Sequence, residues 1–218
     1  MAKSKKKEFW DVEEEIGFKH IKACDGLYYK VWDSGPDDKK QEVANILARV
    51  RYNLNVLLLY LFRNPSKWLD QDITWGIKHT FDIHIPSWEK NSSQLQSTND
   101  PVSMIVNGDI NLNKLFNYQE MTPNQHGILG LNKPKLLRKI AIPGKKNTYE
   151  IATKRSIFLT IRDKNGKIKD FTNIMKLAIH EITHTTCNDT RWKPDNHKYP
   201  YEKYHSKMKE WAAECKIL

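Results

Sequence analysis

The sequence predicts an α+β fold, with a helical N-terminal half and a small C-terminal core built from a short mixed sheet, one long helix and a closing helix. Three observations predict it. Apolar residues recur at three- and four-residue steps from 38 to 63 (Val43, Ile46, Leu47, Val50, Leu54, Leu57, Leu58, Leu61), which marks a long amphipathic helix. Residues 156–162 are β-prone, with Ile157, Phe158, Leu159 and Ile161 apolar. An Asn165-Gly166 turn and a second helical pattern over 172–187 follow directly.

Taken in chain order, residues 1–8 read as a basic disordered tail. Residues 28–32 suit a short strand, and Ser34-Gly35-Pro36-Asp37 breaks the chain and opens the first helix. Asn64-Pro65 closes that helix. A second helix is expected over 67–79 and a polar loop over 86–100, with a short helix near 110–118. Residues 136–142 and 148–152 flank Pro143-Gly144 and predict a hairpin. Thr172 or Asp170 is placed to cap the 172–187 helix, and Pro200 suits the first turn of a last helix ending near 215. The expected organisation is thus a tail over 1–8, a mostly helical region over 9–135, and a core over 136–218.

Composition narrows the function classes. A hydrophobic share of 39% and an aromatic share of 11% supply a core, so general disorder is excluded. The longest apolar run, 56–62, is far below the roughly 20 residues a bilayer span needs. The basic start is followed by acidic residues rather than an apolar leader, so an intracellular, non-membrane protein is expected. Three widely spaced cysteines, Cys24, Cys187 and Cys215, form neither a disulfide framework nor a Cys-x-x-Cys pair. The formal charge of +10 favours contact with polyanions, nucleic acid above all.

The chemistry concentrates in His180-Glu181-Ile182-Thr183-His184. On a helix, residues four apart share a face, so both imidazoles can hold one metal ion at about 2.0–2.1 Å. Glu181, beside the first ligand, is placed to take a proton from a metal-activated water and pass it to a leaving amine. The pattern predicts one zinc ion held by His180 and His184, with Glu181 as general base. A catalytic zinc needs a third protein ligand. Its candidates are His197, His205, Asp189, Cys187 and Glu202, with His197 first because it precedes the helix opened by Pro200. A donor for the transition state is sought among Tyr199, Tyr201, Tyr204 and His205. The remaining histidines, His20, His79, His84 and His126, stand without a paired ligand and read as surface or core residues.

The stretch Ser156-Ile157-Phe158-Leu159-Thr160-Ile161-Arg162, its turn, and Leu177-Ala178-Ile179-His180-Glu181-Ile182-Thr183-His184 resemble WLM-type metallopeptidases, most of all divergent versions from large DNA viruses. These belong with the SprT-like proteases that cut proteins crosslinked to DNA. The segment from His197 to Tyr201, with Met208 and Ala212 behind it, is similar to the family's third-ligand segment and last helix. The likeness covers about 65 C-terminal residues and includes, more faintly, 130–134 and 29–48. It implies a zincin-like core, His180, His184 and His197 as zinc ligands, Glu181 as catalytic base, and a location in the cytoplasm or nucleus of a host cell or in a virion. The 185–196 loop is longer than in typical WLM domains, and His197 is followed by Lys198.

The reading that results is a zinc-dependent endopeptidase acting on a protein or peptide substrate, with DNA-associated or DNA-crosslinked proteins as the implied class. An extended substrate is expected to add to an edge strand within 156–162. The alternative is a basic nucleic-acid-binding or virion structural protein with a non-catalytic zinc site. The intact Glu181 argues against it, because a structural site needs the ligands alone.

Overall fold

The structure is a computed structural model. It describes residues 17–67, 116–124, 126–141, 148–186 and 201–218. Among them, a five-stranded mixed sheet carries three α-helices. The strands are β1 (Phe18–Lys22), β2 (Tyr28–Trp32), β3 (Phe116–Glu120), β4 (Gly130–Ala141) and β5 (Thr148–Leu159). The helices are α1 (Asp37–Arg63), α2 (Phe171–Thr186) and α3 (Tyr201–Glu214), with a 3-10 turn at Pro65–Lys67.

Across the sheet the order is β1-β2-β3-β5-β4. The outer pairs β1/β2 and β4/β5 are antiparallel, while β3 runs parallel to both β2 and β5. Alternation along the strands sends Tyr29, Val31, Phe116, Tyr118, Ile157 and Leu159 into one apolar core with the helices. The intervening Phe158 joins Met121 and Leu131 in a smaller cluster. Removing these side chains from water supplies the main favourable term for folding.

Helix α1 starts directly after Pro36, with Asp37 and Asp38 in its first turn, where negative charge suits the helix dipole. Its predicted stripe is buried: Val43, Leu47, Val50, Leu54, Leu57 and Leu61 are fully enclosed. The helix stops at Asn64, whose backbone N–H donates to Tyr60 and Leu61 carbonyls. Helix α1 packs on β1, β2 and β3 and touches α2 and α3, so both halves of the chain share one core.

A buried ion pair ties the sheet to the loop before α1. Arg162 donates through Nε and Nη2 to the two carboxylate oxygens of Glu120, both at 2.7 Å. It also donates to the carbonyls of Trp32 (2.7 Å) and Ser34 (2.6 Å), while Trp32 N–H donates to Glu120 Oε2 at 2.8 Å. Charge this deeply buried is tolerable because nearly every donor and acceptor is matched.

The N-terminal half supplies β1 and β2 as well as α1, β2 being the strand expected over 28–32. Two expectations are corrected. Residues 116–118 are strand rather than the end of a helix, since Phe116 and Tyr118 alternate onto the core face of β3. The segment 156–162 is not an edge. Residues through Leu159 belong to β5, which pairs with β3 on one side and β4 on the other. Ile157, Phe158 and Leu159 are buried on both faces of the sheet, as an interior strand requires. The outer strand on that side is β4, which accommodates Pro134 at a register shift. The 136–152 hairpin is present as β4 and β5, with β4 beginning earlier, at Gly130. Lys67 lies in the 3-10 turn, and the rest of the expected 67–79 helix, the 86–100 loop and the basic tail lie outside the described residues.

Candidate metal centre

Helix α2 is placed by the turn before it. Asp163 Oδ1 accepts from the N–H groups of Asn165 (2.8 Å) and Lys167 (3.0 Å), and Gly166 takes the left-handed conformation that closes the turn (φ 77°). Asp170 then caps the helix, its Oδ1 accepting from Asn173 N–H at 3.2 Å. Ile174, Met175, Ala178, Ile179 and Ile182 form the buried stripe that seats α2 on the sheet. With that stripe fixed, 100° per residue turns His180 and His184 to the other side of the helix.

The two imidazoles are neighbours, with ring centres 5.2 Å apart and planes at 79°. Helix α3 closes over them. Tyr201 stacks on His184 at 4.5 Å between ring centres and lies 5.2 Å from His180. Its hydroxyl donates to the His180 carbonyl at 3.1 Å, tying the start of α3 to the middle of α2. One turn along α3, His205 has its ring centre 5.3 Å from His180. Tyr204, another candidate donor, is buried in the main core instead, alongside Met208 and Ala212.

Glu181 is 4% exposed. Burial pushes its carboxyl up to about 8 in the metal-free chain, because the anion loses its water. On its other side stands the start of β4. A Cβ placed on Gly130 would lie 2.5 Å from Glu181 Oε1 and 3.0 Å from its Cδ and Cγ. Asn132, two residues along the same strand face, donates to the Glu181 carbonyl (2.5 Å) and to Thr185 Oγ1 (3.0 Å). Arg155 Nη1 donates to Asn132 Oδ1 at 3.0 Å. Sequence reading missed Gly130, Asn132 and Arg155 as parts of the site. The available signal was the Gly130-x-Asn132 alternation at the head of a strand.

Of the expected residues, the structure brings together His180, His184, Tyr201 and His205, while the Glu181 side chain lies against the start of β4. His197, Cys187 and Asp189 lie outside the described residues. Among the described residues no group of three or more His, Cys, Asp and Glu side chains is arranged to hold a metal ion. What they do offer fits part of a zinc set: two neighbouring imidazoles on one helix face, with Glu181 next in sequence to the first of them. A third donor is still required. His20 and His126 are exposed. Cys24 and Cys215 are free thiols.

No protein-family model, curated protein or solved structure matches the chain. The functional reading therefore rests on the geometry of α2 and its surroundings. No helix among the described residues is long and apolar enough to cross a membrane.

Proposed function

We propose that the chain is a zinc-dependent endopeptidase in which His180 and His184 hold the metal and Glu181 is the general base. The observation that carries this reading is the pair of imidazoles, 5.2 Å apart between ring centres on one helix, with a buried carboxylate on the adjoining residue. His197, implied by the resemblance to WLM and SprT-like peptidases, completes the ligand set. When bound, zinc supplies a Lewis acid that polarises a carbonyl and brings the pKa of a water towards 7.

The chain's own residues do the rest. Glu181 takes a proton from the attacking water and delivers it to the leaving amine. His205, packed beside His180, is the group on hand to donate to a developing oxyanion, while Tyr201 is held by its hydrogen bond to the His180 carbonyl. Strand β4 pairs only with β5 among the described strands, and its first residue lies against Glu181. An extended peptide added along β4 passes the site in a defined orientation. The net charge of +10 and the family resemblance point to proteins associated with or crosslinked to DNA as the substrate class.

Metal analysis of the purified chain is expected to give one zinc per molecule, lost in His184→Ala. The zinc-loaded chain is expected to cleave fluorescein-labelled casein or a DNA-bound protein. Cleavage should stop with 1,10-phenanthroline and return with added zinc. A chain that takes up no zinc, or cleaves equally well with the chelator present, contradicts the proposal.

A further inference from the structure

We infer that Gly130 and Asn132 of strand β4 are positioning residues for Glu181, one fixing its carboxylate and the other its backbone. The inference rests on the peptidase reading and adds to it the device that sets the base in place.

A glycine at the head of a strand weakens it and often marks close approach by another group. The backbone conformation of Gly130 is not the left-handed one that demands glycine, so the requirement is for space. The space is taken by Glu181. Any side chain at 130 would meet Oε1 at 2.5 Å, a separation that Cβ atoms do not tolerate, and would crowd Cγ and Cδ as well. The carboxylate thus lies directly against the Cα of the strand and cannot swing towards it.

A Cβ there is accommodated either by turning the Glu181 carboxylate out of its position or by moving the helix away, and Asn132 blocks the second route. The residue is 5% exposed and has a single workable amide orientation. Arg155 has only donors, so the amide oxygen must face it, and both amide hydrogens are left for α2. One goes to the Glu181 carbonyl and the other to Thr185 one turn later. Since Gly130 and Asn132 are two apart, they share the strand face that meets α2, while Leu131 joins the cluster with Phe158. Two alternate residues of β4 therefore grip one residue of α2 at its side chain and at its main chain. This also sets the depth of Glu181 relative to His180 and His184.

The test is a double-mutant cycle with kinetics. Gly130→Ala should keep zinc and leave KM unchanged while kcat on labelled casein falls about 10- to 100-fold, as expected when a reacting group is displaced by about an ångström. Its Tm should drop in the wild-type background and drop much less in Glu181→Ala, where nothing remains to clash. Asn132→Asp, which keeps the acceptor for Arg155 and loses both donors to α2, should likewise lower kcat with zinc retained. Full kcat in Gly130→Ala, or an equal loss of Tm in both backgrounds, overturns the inference and leaves the peptidase reading standing. A wild-type chain that neither binds zinc nor cleaves overturns both.

Discussion

At residue scale, Glu181 pays for its position in pH-dependent stability. Its folded-state pKa of about 8 lies above the ordinary value of 4.5, so the folded metal-free chain binds this proton more tightly than the unfolded one. Stability then falls as pH rises through that window, and the full cost of burying the anion is reached above about 8. Glu181→Gln, neutral throughout, escapes it. In chelator, the Tm advantage of Glu181→Gln over wild type should grow between about pH 5 and about pH 9, each kcal/mol being worth roughly 2–4 °C in a chain of this size. A constant difference across that range contradicts the assignment. The role proposed for this residue is read from the sequence, because four-residue spacing of His180 and His184 on a helix is a local property. Its burial is not, since that depends on Gly130, 51 positions earlier in the numbering and brought alongside only by the sheet.

At the scale of elements, the amphipathic helices were readable and the short strands were not. The stripe of α1 and the Asp170 cap of α2 follow from periodicity and local hydrogen bonding. Strand β3 has the sequence Phe116-Asn117-Tyr118-Gln119-Glu120, which advertises little burial, yet Gln119 and Glu120 are both enclosed. Gln119 meets Ser156 across the neighbouring strand, and Glu120 is held by Arg162. No local pattern reveals a buried carboxylate whose partner is 42 residues away. The Ile157-Phe158-Leu159 run did contain the sign of an interior strand, because a strand with one wet face alternates. Replacing Arg162 by Met leaves Glu120 buried without its counter-ion and strands the Trp32 and Ser34 carbonyls. The expected loss is about 3–5 kcal/mol in urea denaturation. A loss below about 1 kcal/mol would show that the pair contributes little to holding β2, β3 and α1 together.

At the scale of the whole molecule, the candidate site depends on the N-terminal half. Strand β5 is flanked by β3, and α2 contacts α1 as well as β4 and β5. A fragment of residues 136–218 would lack Gly130, Asn132, β3 and α1, and would expose the apolar side of α2 and β5. It is expected to show no cooperative thermal unfolding and no dispersed amide spectrum, whereas both are expected of the full chain. A folded, zinc-binding fragment would contradict the shared core. The net charge of +10 belongs to this scale too, as a source of long-range attraction for polyanions that must weaken with salt. The central claim is most directly tested by zinc content and proteolysis measured together in wild type and Glu181→Gln. The account predicts one zinc in each and a cleavage rate at least about 100-fold lower in the variant. Equal cleavage by the two proteins, with zinc present in both, would contradict it.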